Sequence, residues 1–514
     1  MSKTIIIIGA GLAGLSAALQ AAENGCNVKL VSSLPSERAQ SVMAEGGINA
    51  ALNTKDENDS PEEHFTDTIK AACGLADPNA VWGMTQAAPE LVHWLLKLGV
   101  KFNMSGYDDV DLRNFGGQKK KRTAFAQSDT GKQIMTAMID AVRRKEASGM
   151  VERFSHHSFL TLRLCGNICC GCVIRDEYSQ ETVELPGDAV IVATGGMHGL
   201  FGNTTGSLSN TGEVTAELFR LGVPLVNGAM IQYHPTTVEC GGKRMLISEA
   251  ARGEGGRLFA LRNNQPWYFM EEKYPELGNL MPRDITAREI WKVSHESEVF
   301  LDMTEISEEI ISNKLSGLAD DCMTYLHKDI RKEPVSVLPG IHYFMGGILV
   351  DEQHRTPIQN LYAAGECCAQ YHGANRLGGN SLLGALYGGR VAAKSACEQA
   401  DVVDLSCATQ IDFPPASQIS EIKQLNKVMQ EPMGVVRNEN TLLNGIQTVQ
   451  ALTGNLPLLG MAVLKSALAR KESRGAHWRE DYPKSNDNDY LKTTVARFDG
   501  KQIQISFVPV PERR

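Results

Sequence analysis

The 514-residue sequence has no long apolar run. It contains no stretch of about 18 consecutive apolar residues, the length that a membrane-spanning helix needs. Its first residues predict a strand, where a signal peptide would have a basic start and a cleavage site. We therefore expect a cytoplasmic protein without direct membrane insertion, attached to a membrane at most through another subunit.

An excess of positive charge is also absent. The formal net charge is −9, so no basic face for nucleic acid is implied. The basic run Lys119–Arg122 is more typical of a solvated loop than of a binding patch. We exclude nucleic acid as a partner.

Among the 12 cysteines, the segment Cys165–Cys172 has a spacing that resembles a metal cluster. There is no haem-attachment motif and no convincing iron–sulfur pattern. The cluster Cys165–Cys172 has no second cysteine pair at zinc-ribbon distance, and neighbouring cysteines on a strand point to opposite faces. We predict a β-hairpin at this cluster, and no metal site. Electrons for any redox reaction must come from a partner or a diffusible donor.

The first 32 residues predict a nucleotide-binding βαβ unit. Ile5–Ile8 is typical of a strand buried on both faces, and Val28–Val31 predicts a second strand. Between them, Gly9, Gly11 and Gly14 have the spacing of a dinucleotide-binding loop that opens a helix. The helix N-terminus would face a diphosphate with unpaired N–H groups. We predict a bound dinucleotide.

The acid that usually binds ribose after the second strand is missing. Ser32 and Ser33 stand in its place. A hydroxyl can still hydrogen-bond ribose, so the site is kept, but the case for NAD is weakened.

Two further glycine-rich segments predict close contact with a flat cofactor. In Ala44–Ala50, the pair Gly46 and Gly47 lets the backbone lie against a ring such as a flavin. The apolar strand Ala189–Val192 is followed by Thr194–Gly196, where the backbone could again lie close to the cofactor.

The chain is too long for one hydrophobic core. The strand-and-glycine pattern covers residues 1–235 and returns at 346–410, whereas residues 236–345 are richer in charge and in helical patterns. Residues 411–514 predict helices followed by a polar tail. We therefore predict an α/β fold: a Rossmann-like dinucleotide-binding domain interrupted by an inserted domain, and a helical C-terminal domain.

Polar residues gather among glycines in four constellations. These are Gln232–Thr236, then Ser248–Gly256 with Pro282–Asp284, then His342–Gly347, and finally Gly365–Glu366 with His372–Leu383. A single histidine or Arg–Glu pair of this kind is more often structural. Together, Arg376 and two histidines could clamp a small dianion, because arginine presents a bidentate fork to carboxylate. A second arginine beside a glutamate could pass protons.

These motifs resemble the flavoprotein subunits of the fumarate reductase and succinate dehydrogenase family, which includes L-aspartate oxidase. The resemblance extends to Glu472–His477, and the segment His372–Gly378 (His-Gly-Ala-Asn-Arg-Leu-Gly) is highly specific. It implies FAD in the two-part Rossmann-like domain and a mobile capping domain over residues 236–345. It also implies a dicarboxylate substrate between them and an iron–sulfur partner subunit.

The resemblance further implies residue roles. The substrate would be bound by His234, Ser248, His342 and Arg376, with Phe115 beside it. Arg283 would protonate one alkene carbon of fumarate while reduced flavin gives hydride to the other, with Glu249 and Arg252 as the proton relay to solvent. The cofactor-binding residues would be Gly9, Gly11, Leu12, Ala13, Gly14, Ser32, Ser33, Ala44, Gly46, Gly47, Thr194, Gly195, Glu366, Arg376, Ser381 and Leu382.

Two departures decide between branches of the family. Members with covalent FAD carry a histidine where Arg38–Ser41 has Gln40. We therefore expect non-covalent FAD, which favours fumarate reduction over succinate oxidation. L-aspartate oxidase places an acidic residue in the loop where Phe115 stands, and Phe115 offers no charge to an ammonium group. Fumarate reduction is favoured; aspartate oxidation, or reduction of a related unsaturated acid, stays open.

Overall fold

The computed structural model describes residues 2–107, 109–400 and 418–514. The predicted domain boundary at residues 410 and 411 lies outside these ranges. Within them, no helix is both long and apolar enough to cross a membrane.

Strands and helices alternate in the first part of the chain. The strands are β1 (Thr4–Ile8), β2 (Asn27–Ser32), β3 (Ile48–Asn49), β4 (Leu112–Arg113), β5 (Thr123–Ala124), β6 (Val151–Ser155), β7 (His157–Cys165), β8 (Ile168–Asp176), β9 (Thr182–Pro186), β10 (Ala189–Val192) and β11 (Leu225–Val226). The helices are α1 (Leu12–Glu23), α2 (Pro61–Ala71), α3 (Pro78–Leu98), α4 (Thr130–Ala147), α5 (His198–Phe201) and α6 (Glu213–Arg220).

The middle of the chain mixes antiparallel strands with short helices. The strands are β12 (Ile231–Cys240), β13 (Lys243–Leu246), β14 (Arg257–Arg262), β15 (Gln265–Trp267), β16 (Val299–Asp302), β17 (Val335–Ser336) and β18 (Leu338–Phe344). The helices are α7 (Glu249–Gly253), α8 (Phe269–Lys273), α9 (Arg283–Val293), α10 (Glu308–Lys314) and α11 (Ser316–Asp321).

The last part of the chain returns to the first sheet and then becomes mainly helical. The strands are β19 (Gly347–Leu349), β20 (Leu361–Ala363), β21 (Cys368–Ala369), β22 (Lys492–Phe498) and β23 (Ile503–Pro509). The helices are α12 (Asn380–Gln399), α13 (Ile419–Gln430), α14 (Glu439–Gln450), α15 (Asn455–Ala469) and α16 (Asp487–Tyr490).

A parallel sheet in the order β20-β10-β1-β2-β6 forms the centre of the dinucleotide-binding part. Ile5 and Ile7 pack on the face that carries α1, α4 and α12. Ile6 and Ile8 pack on the opposite face, against the sheet β7-β8-β9. The predicted strand buried on both faces and the βαβ unit are confirmed.

The cysteine-rich segment is an antiparallel hairpin, as predicted. Strands β7 and β8 pair from His157 with Asp176 to Cys165 with Ile168. Cys169 and Cys172 point into the core beneath the central sheet.

The basic run 119–122 differs from its prediction at one position. Lys119 and Lys121 are exposed, but Arg122 is fully buried. Its Nη2 lies 2.9 Å from Asp59 Oδ1 and 3.0 Å from Asp67 Oδ2. The prediction of a solvated loop is wrong for Arg122, because two carboxylates compensate its charge in the interior.

The inserted segment has a core of its own, which includes Leu258, Ile290 and Leu301, beneath the sheet β15-β14-β16-β17. Strand β12 runs across the predicted boundary at residues 235 and 236 and pairs with β18. The segment that we call the cap, residues 236–345, is therefore joined to the dinucleotide-binding part through a shared sheet.

The C-terminal helices α13, α14 and α15 share a core with α6 and β11. The predicted polar tail forms the hairpin β22–β23, and β22 adds to a sheet in the order β21-β19-β11-β22-β23. Val495 and Ala496 pair with Val226 and Leu225 and are buried there. Their burial explains why a segment of mainly polar residues is ordered as a strand.

Candidate functional site

A cavity of about 580 Å³ opens where the carboxyl ends of β1 and β10 meet the amino ends of α1 and α12. Cap residues from the ends of β13 and α9 also line it. Ligands of open parallel sheets bind at the carboxyl ends of the strands. The position agrees with that rule.

The structure brings nearly all the predicted site residues to this one cavity. Those that line it are Gly9, Gly11, Leu12, Ala13, Ser32, Ser33, Ala44, Gly46, Gly47, Phe115, Thr194, Gly195, His234, Ser248, Glu249, Arg283, His342, Glu366, Arg376, Ser381 and Leu382. Two predicted residues do not line it. Gly14 packs against the backbone of Gly9, and Arg252 lies behind Glu249.

Two helix N-termini end at the cavity without a capping side chain. The N-cap residues are Gly11 for α1 and Gly379 for α12. The backbone N–H of Leu12 donates to Ser41 Oγ at 3.2 Å. Uncapped N–H groups and the helix dipole favour anionic groups at both places. A cofactor with a diphosphate and a ring that takes up negative charge on reduction fits this arrangement.

The glycines of the α1 loop have separable roles. A Cβ on Gly14 would lie 1.9 Å from the carbonyl oxygen of Gly9, whereas a Cβ on Gly11 would meet only Ser41 Oγ at 3.6 Å. We expect Gly14→Ala to destabilise the flavin-free protein by about 3 kcal/mol through overpacking. Gly11→Ala should keep that stability and lose FAD affinity at least about tenfold, since the backbone can no longer approach a pyrophosphate.

Thermal unfolding and FAD titration of the two variants measure these effects. Equal losses of stability in both variants would contradict the assignment of packing to Gly14 and of ligand approach to Gly11.

An arginine–glutamate–arginine chain lies at the cap side of the cavity. Arg283 donates from Nε (2.8 Å) and from Nη2 (2.6 Å) to Glu249 Oε2. Glu249 Oε1 accepts from the backbone N–H of Gly116 at 3.1 Å and lies 3.6 Å from Arg252 Nη2. Positive and negative side chains thus alternate from Arg283 through Glu249 to Arg252, an arrangement along which a proton can be passed.

Gln232 completes the environment of Arg283. Its Oε1 accepts from Arg283 Nη1 at 3.2 Å, and its Nε2 donates to the carbonyl oxygen of Arg376 at 2.8 Å. Gln232 therefore connects the side chain of Arg283 with the backbone of Arg376.

Glu249 is held in its charged form. Burial raises the pKa of its carboxyl, but Arg283 and Arg252 outweigh this and hold the pKa below the ordinary value. Burial lowers the pKa of Arg252. Arg283 and Arg376 therefore bring positive charge to the cavity, where an anionic ligand would be favoured.

His234 and His342 face each other with ring centroids 5.0 Å apart. Burial lowers the pKa of both histidines well below the ordinary range. The next largest cause is Arg283 for His234, and His234 for His342. Both rings are therefore neutral near pH 7. The Thr205 hydroxyl lies 2.8 Å from His342 Nδ1. This contact leaves Nε2 of His342 for a ligand.

Arg376 is buried, yet within the described part of the chain its guanidinium has no hydrogen bond or ion pair. Its Cζ lies 4.4 Å from the ring centroid of Tyr343. Burial and the nearby Arg283 lower its pKa to about 9, so the side chain is still charged at pH 7. A buried charge without a partner is costly unless a ligand supplies the anion.

Two further predicted side chains, Ser248 and Glu366, accept hydrogen bonds from the backbone. Ser248 is the N-cap of α7 and accepts from the N–H of Ala250 at 3.4 Å. Glu366 Oε1 accepts from the N–H of Phe344 at 3.0 Å and lies 3.1 Å from His198 Nε2. Their positions are fixed before any ligand binds.

Several residues at the site had no predicted role. Gln232 and Tyr343 stand inside the predicted constellations, so their neighbours were the available signal. Ser41 ends the stretch Arg38–Ser41, in which only Gln40 was considered, and Thr205 lies in a segment that carries no motif.

The comparisons with known proteins agree with this geometry. A family model described as "FAD binding domain" matches residues 4–382, and one described as "Fumarate reductase flavoprotein C-term" matches residues 452–513. The succinate dehydrogenase flavoprotein subunit of Bacillus subtilis is 37% identical, over 100% of this chain and 98% of that protein. The 8-methylmenaquinol:fumarate reductase flavoprotein subunit of Wolinella succinogenes is 32% identical, over 100% and 92%.

Among solved structures, E. coli quinol fumarate reductase FrdA superposes with a TM-score of 0.90 at 27% identity. The match covers 99% of this chain and 97% of FrdA. The chain therefore belongs to the family of fumarate reductase and succinate dehydrogenase flavoprotein subunits, and it is an FAD-dependent oxidoreductase.

Proposed function

We propose that the protein reduces fumarate to succinate and that Arg283 donates the proton. One observation carries this proposal: two arginines line one cavity. Arg283 is bound to a buried glutamate, whereas the guanidinium of Arg376 has no hydrogen bond or ion pair within the described residues. Arg283 lies beside a carboxylate that can pass a proton to it, and Arg376 is placed to bind a carboxylate of the substrate.

Arg376 and the neutral histidines bind the two carboxylates of the substrate. Arg376 offers a bidentate fork, and His342 offers an N–H while Thr205 holds its other nitrogen. Positive charge fixed around the alkene stabilises the negative charge that develops when hydride arrives. When bound and reduced by the electron donor, FAD would supply that hydride.

Arg283 then protonates the second carbon. An arginine is a weak acid, so the transfer depends on the developing carbanion and on rapid return of the proton. The ionised Glu249 is placed to accept a proton from Arg252 and pass it on to Arg283. The Arg252 side chain is fully buried and donates from Nη1 to the carbonyl oxygen of Asn279 at 2.7 Å. The proposed relay therefore needs a further step beyond Arg252 to reach solvent.

Succinate oxidation at the same site is the second candidate. It is favoured by one observation: the relative at 37% identity is a succinate dehydrogenase subunit. L-aspartate oxidation is less favoured because buried Phe115 gives an ammonium group no counter-charge at the cavity. A related unsaturated acid would use the same carboxylate ligands.

An electron-transfer partner belongs to the proposal. The relatives from B. subtilis and W. succinogenes are named as flavoprotein subunits. We propose an iron–sulfur subunit as the electron donor and, through it, a peripheral place at a membrane.

Anaerobic assays with FAD-loaded protein decide between these reactions. Reduced viologen with fumarate, succinate with an electron-accepting dye, and aerobic L-aspartate with peroxide detection are run side by side. The proposal requires fumarate-dependent viologen oxidation to be the most efficient of the three by kcat/KM. A higher value for succinate would reverse the direction, and efficient peroxide formation from L-aspartate would replace the function.

The FAD is expected to be non-covalent. Gln40 stands where covalent relatives have a histidine, and its Nε2 lies 3.4 Å from the carbonyl oxygen of Thr205. An amide cannot form the flavin link, so acid precipitation should leave all the yellow colour in the supernatant. Flavin fluorescence in the protein pellet would contradict this expectation.

A further inference from the structure

A C-terminal loop, residues 474–481, contacts both sides of the candidate site. The backbone N–H of Ala476 donates to the carbonyl oxygen of Ala374 at 2.9 Å. Two residues further, the indole of Trp478 lies under Arg288 of the cap, with Arg288 Cζ 3.9 Å from the ring centroid. The loop therefore links the segment that carries Arg376 with the cap.

Trp478 contacts the helix that begins at Arg283. Arg288 and Lys292 are one turn apart on α9, and Lys292 Nζ lies 5.9 Å from the same ring centroid. Two cations over one indole face form a cation–π contact. A displacement of α9 from this ring would also displace Arg283 at its N-terminus.

A second contact, near the cavity, joins the segment that carries Arg376 with helix α9 of the cap. Asn375 Nδ2 donates to Asp284 Oδ1 at 2.9 Å. Asp284 follows Arg283, and Asn375 precedes Arg376. Burial raises the pKa of Asp284, which the nearby Arg288 opposes. Asn375 thus holds the first turn of α9, and Trp478 contacts its middle and last turns.

The loop itself is rigidly anchored. The backbone N–H of Arg437 donates to the carbonyl oxygen of Trp478 at 3.0 Å, and Arg437 Nη1 lies 3.0 Å from His477 Nδ1. Arg479 donates to both carboxylate oxygens of Asp481. Because Arg437, His477 and Arg479 are fully buried, Trp478 stands on a fixed base.

We propose that the loop 474–481 is a clamp that holds α9, and that Trp478 is a positioning residue for Arg283. The inference deepens the proposed function, since it assigns to the C-terminal part of the chain the orientation of the proton donor. Trp478 touches neither the cavity nor the reacting atoms. It acts through Arg288 and the helix.

The clamp is tested by hydrogen–deuterium exchange of the peptide 283–293 in FAD-loaded protein. Trp478→Leu should raise the exchange rate of the α9 amides about fivefold, the effect of losing one cation–π contact. Arg288→Leu should do the same, and the double variant should add nothing further. Trp478→Phe, which keeps an aromatic face, should restore most of the protection.

Kinetics give the second readout. With fumarate, Trp478→Leu should lower kcat about fivefold, as it raises the exchange rate. KM should stay within about twofold, because the carboxylate ligands are untouched. Arg262→Leu is the matched control: it removes a cation–π pair inside the cap, where Arg262 Cζ lies 3.4 Å from the Trp267 ring, and should change neither readout.

Additive effects in the double variant, or normal α9 exchange in Trp478→Leu, would overturn the clamp. The exchange measurement does not depend on the reaction catalysed. If the wild-type protein did not reduce fumarate, the proposed function would be rejected. The clamp would still be supported if the exchange effects of Trp478→Leu and Arg288→Leu were not additive.

Discussion

Replacing Arg283 with alanine is expected to lower kcat for fumarate reduction by about 10⁴-fold, the upper range for a general acid. The substitution removes the proton donor and leaves Glu249 buried without the two hydrogen bonds that it accepts from Arg283. FAD content should stay near that of the wild type, because Arg283 reaches the cavity from the cap. Viologen-linked turnover and the flavin absorbance of the purified variant measure both.

Two further variants serve as controls for this test. Arg262→Ala changes an exposed arginine of the cap, away from the cavity, and should keep full turnover. Arg283→Lys keeps the charge but cannot bind Glu249 and Gln232 together in the same geometry, so its kcat should lie between alanine and wild type. Turnover of Arg283→Ala within tenfold of wild type would remove Arg283 from the mechanism.

Local patterns were sufficient for the parts of the site that are built from adjacent residues. The run Ile5–Ile8 and the following glycines predict β1, the turn and α1, because burial and backbone freedom are encoded within a few positions. The segment His372–Leu383 likewise predicts a glycine-lined loop and the start of α12. In these places residue type alone limits the conformation.

Contacts between distant residues were not predictable from such patterns. Arg122 looks like part of a basic loop, and only its long-range pairing with Asp59 and Asp67 makes its burial tolerable. The contact between Trp478 and Arg288 joins residues almost 200 positions apart through no shared motif. Family resemblance supplied the expected roles of Arg283 and Arg376, whereas their surroundings came from the folded chain.

Loss of the Arg376 charge is also expected to have a large effect, which falls on the affinity for the dicarboxylate and not on the rate of the chemical step. Arg376→Met replaces the side chain with an unbranched apolar one and removes the guanidinium, which has no hydrogen bond or ion pair within the described residues. A buried, charge-assisted carboxylate contact contributes about 3 kcal/mol, so the Kd of malonate and the KM of fumarate should rise by about 100-fold. Malonate titration of the flavin absorbance measures the binding term directly.

The pH dependence of binding distinguishes this role from a structural one. The pKa of Arg376 is lowered to about 9, so the charged form that binds a carboxylate is complete below that pH and disappears as the pH rises through it. Malonate affinity of the wild-type protein should therefore fall above about pH 9, and in Arg376→Met the affinity should be weak and lack this break. The histidines do not produce it, because both are already neutral throughout that range. A break that survives in Arg376→Met would assign the titration to another group, whereas its loss would identify the unpaired arginine as the carboxylate ligand.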